Sequence, residues 1–249
     1  MSDTRPVDST KSSPQARFVT TQWTVVLAAG SPDSPGHRQA LEALCRTYWF
    51  PLYAYLRRQG CDSHQAQDYT QGFFASLLER QALQRADPAA GKFRSFLLAS
   101  LKHFIADERD RTQAKKRGGG KVFPLDIDDA ETRYSLEPAD NMSPEKLFMR
   151  SWALTVLKEA MTQLKAECVE AGKGHIFERL KTYLQTGETP AGYGDIAAQL
   201  GMTESAVRVA VHRLRQRYGE LVRRQIAQTV ADPAEVDEEL RELFAALTS

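Results

Sequence analysis

The sequence predicts an all-α protein, on three observations. Almost every apolar pattern repeats at i, i+3 or i+4, no alternating strand-like run bounded by hairpin turns is present, and capping residues stand ahead of several apolar stripes. The pattern divides into two helical domains, over 21–111 and 143–224, joined by a flexible linker over 112–142. A leader over 1–20, expected to be disordered, precedes them, and an acidic helix over 225–249 follows.

The first helix, near 37–58, carries Leu41, Leu44, Cys45, Tyr48, Leu52, Tyr55 and Leu56, with Pro51 placed to kink it. A second, capped by Asp62 or Ser63, sets Ala66, Tyr69, Thr70, Phe73 and Leu77 on one stripe and leaves Gln67, Asp68 and Gln71 on a polar face. The third, "KFRSFLLASLKHFIADERDR", is expected to pack Phe93, Phe96, Leu97, Leu101, Phe104 and Ile105, while Lys92, Arg94, Lys102, His103, Arg109 and Arg111 make it strongly basic. The "GGGK" that follows is no phosphate loop: Val122 stands where Ser or Thr is required, and no strand precedes it. From there to Met142 the chain is Gly-rich and then acidic, as a linker is.

Ser143 as N-cap and Pro144 as first helical residue open the second half, on a helix with the stripe Phe148, Trp152, Leu154, Leu157, Met161 and Leu164. Ile176, Phe177, Leu180 and Leu184 mark the next helix, and 187–192 form a loop into "YGDIAAQLGMTESAVRVAVHRLRQRYGELVRR". That stretch predicts a helix–turn–helix. Gly201 ends a short helix, Thr203 caps the next, and Ala197, Val207 and Ala210 supply the small apolar contacts of a tight crossing. The second helix would turn Thr203, Glu204, Ser205, Arg208, Val209 and His212 outward, where a recognition helix meets base edges, with Arg213, Arg215, Arg217, Arg223 and Arg224 placed for phosphates. Beyond it, Val236, Leu240, Leu243, Phe244 and Leu247 give an amphipathic helix with an acidic outer face. That helix is expected either to fold over the basic recognition helix or to add packing to the second domain.

Composition bounds the function. A chain of 249 residues, 42% apolar and 26% charged, has ample length for a core. The net charge of +1 conceals segregation: 92–121 and the recognition helix are basic, whereas the stretch from Asp232 onward is acidic. Cys45, Cys61 and Cys168 are too far apart for a metal knuckle and odd in number, so no metal, cofactor or disulfide framework is indicated and a reducing cytoplasm fits. No stretch approaches the roughly 18 apolar residues of a membrane span, and the leader lacks a signal peptide's apolar core.

Two helical domains with "AQDYTQGFFASLL" and "FRSFLLASLKHFIADERDR" in the first and "IAAQLGMTESAVRVAVHRLR" in the second resemble the extracytoplasmic-function sigma factors of bacterial RNA polymerase over roughly 37–224. The resemblance implies a first domain like sigma region 2 and a second like region 4. It implies core RNA polymerase and promoter DNA as partners, and admits an anti-sigma protein. Carried over, Gln67, Asp68 and Gln71 would face the polymerase clamp. Lys92, Arg94, Lys102, His103, Arg109 and Arg111 would meet the opened minus-ten element, and Thr203, Glu204, Ser205, Arg208, Val209, His212, Arg213 and Arg215 the minus-35 element. Gly72 departs from the pattern, since family members often carry an acidic residue there.

Two other classes stay open on the residues. A stand-alone dimeric helix–turn–helix regulator would bind a palindrome by itself. An all-α enzyme would use Asp107, Glu108 and Asp110 on magnesium, although i to i+4 pairing with the neighbouring arginines explains that run.

Overall fold

A computed structural model of the chain describes residues 26, 29, 36–79, 83, 91–114, 127–137, 142–185, 192–227, 230 and 232–248. These residues form helices α1 (His37–Arg58), α2 (Ser63–Glu79), α3 (Phe93–Ala114), α4 (Ile127–Ser135), α5 (Pro144–Glu170), α6 (Gly174–Leu180), α7 (Thr182–Gln185), α8 (Tyr193–Leu200), α9 (Glu204–Ala227) and α10 (Val236–Thr248), with no strand among them. The all-α expectation holds. The expected leader and about half of the expected linker lie outside the described residues.

The caps read from the sequence form as written. Asp62 Oδ1 accepts from the Gln65 amide at 2.8 Å, and Gln65 Oε1 accepts in return from the Asp62 amide at 3.4 Å, a reciprocal box that settles the choice between Asp62 and Ser63. Ser143 Oγ accepts from the Lys146 amide at 3.2 Å, with Pro144 at the first helical position, where its missing N–H costs nothing. In α2 the stripe Ala66, Thr70, Phe73 and Leu77 is buried, and Thr70 returns its hydroxyl to the Ala66 carbonyl at 2.6 Å. Gly72 lies where α2 meets α3. A Cβ there would stand 3.2 Å from Phe104 Cζ, so the close approach of the two helices uses the glycine that departs from the sigma pattern.

The two halves share one core, where the sequence suggested separate ones. From Tyr48 to Leu56 every residue of α1 is buried, which a helix with one apolar stripe does not show. Its other side is covered by α5, and α1 against α5 is the most extensive helix contact among the described residues. On α5 the buried residues Leu147, Phe148, Trp152, Ala153, Val156, Ala160 and Leu164 run round the helix, because α1, α9 and α10 all pack on it. The expected stripe needs one correction: Leu154 is 37% exposed, while Ala153 and Val156 turn inward. A single hydrophobic cluster therefore runs from Val26 through α1, α2, α3 and α5 to Ile226 and Leu243, and a smaller one holds Leu180, Tyr183, Ala197, Val207 and Val211.

Part of the expected linker is also helical and docked. α4 lies on α1 through Glu131, which accepts from Arg57 Nη2 at 2.7 Å and Nε at 3.1 Å and from the Tyr53 hydroxyl. Arg57 sits 4.9 Å from the Tyr134 ring centroid, and Arg133 sits 3.7 Å from that of Phe50. The Arg57 guanidinium holds the Glu131 carboxyl below the usual range against partial burial.

Candidate nucleic-acid interface

The turn between α8 and α9 is built by glycine and threonine. Gly201 adopts φ 61°, the left-handed region, and donates to the Ala198 carbonyl at 3.3 Å while the Met202 amide reaches Ala197 O at 2.9 Å. These two bonds satisfy carbonyls that the end of α8 would otherwise orphan. Thr203 Oγ1 then accepts from the Ala206 amide at 3.2 Å and caps α9. Ala197, Val207 and Val211 close the crossing against Leu180 and Tyr183, with Ala210 partly buried beside them. The inner face thus belongs to residues with little or no side-chain freedom.

The outer face is the one expected. Thr203, Glu204, Ser205, Arg208, Val209, His212, Arg213 and Arg215 are all exposed. Arg208 is held loosely: Glu204 stands 3.8 Å away, one turn earlier, and the Tyr193 ring centroid 5.4 Å away. Such an exposed pair is worth at most about 1 kcal/mol and yields readily to a stronger partner. Among the described residues nothing pairs with His212 or Arg213. Several arginines of the phosphate set have partners within the fold, and two of them tie helices together. Arg215 donates through Nε and Nη2 to the Tyr183 carbonyl at 3.1 and 2.8 Å, tying α9 to the end of α7. Arg217 grips Glu167 of α5 in a two-pronged pair at 2.8 Å on each arm and also meets Glu220 at 2.8 Å. Those hydrogen bonds raise Arg217 above its ordinary pKa and hold Glu167 below the carboxylate range. Arg217 thus clamps α9 to α5 in this conformation.

The basic face expected on α3 divides sharply. Lys102, His103 and Arg109 are exposed, and Lys102 reaches Glu145 at the start of α5 at 2.9 Å. Arg94 is 3% exposed and Lys92 half-buried, so neither stands open as Lys102 does in this conformation. They are occupied by α10. Lys92 Nζ lies 2.9 Å from Glu239 and also pairs with Glu242, and Arg94 pairs with both carboxylates. The Arg94 guanidinium lies 4.7 Å from the Trp152 ring centroid. Burial lowers its pKa despite the neighbouring Glu242. Burial also opposes the Glu242 charge, but Lys92 and Arg94 outweigh it and hold that carboxyl below its ordinary value. Phe93 is buried at the Tyr48 ring, and Phe96 stacks on Phe93 at 5.9 Å while staying partly open. Arg111 falls within α3, but its side chain lies outside the described residues.

Asp68 is exposed on α2 and Gln67 and Gln71 are half-buried, as a polar face requires. Glu239 and Glu242 are the residues that sequence reasoning missed: it offered the recognition helix or the second domain as what α10 covers, and not the start of α3. A signal was present: Glu239 stands four residues before Leu243, on the same side of the helix as the apolar stripe. Among the described residues no three His, Cys, Asp or Glu side chains come together in a way that could hold a metal ion. Burial pushes the Cys45 thiol up to about 11, and raises Cys61 and Cys168 as well, which keeps all three in the weakly nucleophilic thiol form. No helix among the described residues is long and apolar enough to cross a membrane. No family model matches the chain, and no curated protein or solved structure matches it significantly. The fold and the site thus define an all-α protein with an exposed, cationic helix–turn–helix.

Proposed function

We propose that the chain is a transcription initiation factor of the sigma type, which binds bacterial core RNA polymerase and reads promoter DNA. The observation that carries this reading is the outer face of α9. A turn made by Gly201 and Thr203 presents Arg208, His212 and Arg213 to solvent from the first turns of a helix, in the way that a recognition helix enters a major groove. A bidentate arginine–guanine contact is worth about 1–3 kcal/mol of discrimination, and Arg208 is the side chain best placed to make one. Sequence order supplies the rest: the resemblance spans both halves, with Gln67, Asp68 and Gln71 toward polymerase and Lys102, His103 and Arg109 toward the opened strand.

The test is run-off transcription by purified core polymerase on promoters from the host, with and without this protein. Discrete starts that require it are expected, with both promoter elements aligned upstream of them. Absence of starts, together with no core complex on size exclusion, would overturn the proposal.

The shared core of the two halves favours a second reading. A sigma-type factor spreads its halves over polymerase, which here means parting α1 from α5, whereas a stand-alone dimeric regulator can keep that interface closed. A dimer shifting duplex DNA by itself, with no core complex, would establish that alternative.

A further inference from the structure

The pairing of α10 with α3 joins residues about 150 positions apart and brings two carboxylates onto two cations at a buried site. Taking such charges from water is costly, so the cations at this place need anionic partners of close fit. The apolar hold of α10 comes from one buried side chain and from Val236, Leu240, Ala246 and Leu247, which pack partly buried against the core. Leu243 is its one fully buried apolar side chain among the described residues, and Phe244 remains 56% exposed. Polar ties add to it: Arg150 donates to the Leu247 carbonyl at 3.2 Å, and Arg223 meets Asp237 at 2.7 Å on the surface. An element that depends on charge pairs as well as on apolar contact is loosened when a competing polyanion takes those pairs.

Beneath α10 lie Lys92 and Arg94, with Phe96 partly open on the same turn of α3; the Trp152 ring, 4.7 Å from the guanidinium, is fully buried behind them. Two cations beside a partly open aromatic ring suit single-stranded nucleic acid, phosphates on the cations and a base on the ring. We infer that α10 is an internal competitor for this surface: Glu239 and Glu242 occupy the places of nucleic-acid phosphates, and single-stranded nucleic acid binds Lys92 and Arg94 only when α10 is displaced. The inference deepens the proposed function and rests on it, since it makes strand binding by α3 a regulated step. It also moves the regulation from the recognition helix, the place the sequence suggested, to the opposite half of the chain.

The experiment uses the full chain and a fluorescein-labelled oligothymidylate, followed by anisotropy between 50 and 300 mM salt. Glu242→Gln, which alters the half-exposed carboxylate, is expected to tighten binding several-fold. Glu239→Gln with Glu242→Gln is expected to tighten it at least tenfold and to steepen the salt dependence by about 1.4, for two newly engaged phosphates at roughly 0.7 each. Adding Lys92→Gln and Arg94→Gln should abolish the gain. The unmutated chain provides an independent measurement: saturating oligonucleotide should speed amide hydrogen exchange across α10. Equal affinities in variants that circular dichroism shows to be folded, no binding by any form, or unchanged exchange of α10 on saturation would each overturn the inference. If those failures occur while run-off transcription succeeds, the promoter reading stands and only the competitor falls. If binding is gained but no start sites appear, the competitor stands and the promoter reading falls.

Discussion

The start of α3 and the outer face of α9 are both basic in sequence, and the fold treats them in opposite ways. Lys92 and Arg94 are paired under Glu239 and Glu242, whereas Arg208, His212 and Arg213 face solvent, Arg208 with only Glu204 and the Tyr193 ring as loose neighbours. A cationic run shows that a segment can attract anions, but not which anion holds it in the folded chain. Where a carboxylate of the same molecule arrives first, the charges serve packing. Where only water covers them, they are available to DNA.

The largest expected effect tests whether the α3 site is truly buried. Glu239→Ala removes the fully buried one of the two carboxylates that pair with Arg94 and should destabilise the fold by about 3 kcal/mol in urea unfolding, the lower end for breaking a buried pair because Glu242 remains. Arg213→Ala, on the open face, should change stability by no more than about 0.5 kcal/mol. Equal unfolding midpoints for these two variants would erase the contrast between the regions.

Next in size is base reading from the open face. Arg208→Ala should relax preference at one base pair by about 1–3 kcal/mol in a promoter library and leave the unfolding midpoint nearly unchanged. A uniform loss across all sequences would instead make Arg208 a phosphate contact. The turn beneath it comes third: Thr203→Ala removes the cap on the Ala206 amide and should lower stability by about 1 kcal/mol, measured by the same unfolding series.

A smaller effect separates two arginines that look alike in sequence. Arg213→Ala should flatten the salt dependence of duplex binding by about 0.9, the share of one phosphate. Arg217→Ala should leave that slope in place and weaken the fold, because it frees Glu167.

Mild acid gives the smallest change. Glu131, Glu167 and Glu242 each titrate below the ordinary 4.5 in the folded chain, so the stability they add is complete above that value. It is lost as pH falls from there through their lowered folded values. Thermal midpoints should decline below about pH 4.5, and Glu242→Gln should remove part of the slope. A pH-independent midpoint across that window would mean that these pairs contribute nothing.

By itself the sequence determined the local structure. Gly201 at a positive φ, the Thr203, Ser143 and Asp62 caps, the α2 stripe and the exposed residues of α9 follow from interactions within a few positions along the chain, which a linear reading can see. The helical period likewise marked α1 and α5 as elements, but not how many neighbours each has. The unbroken burial from Tyr48 to Leu56 was visible as an apolar run, yet its meaning depends on α5 lying across it, more than 85 positions on. Only the tertiary structure decided that the two halves share a core, that part of the linker docks through Glu131, and that Lys92 and Arg94 are spent on α10. Charge pairs formed across such distances leave no periodic trace, because the energy that selects them depends on burial, and burial is a property of the assembled fold.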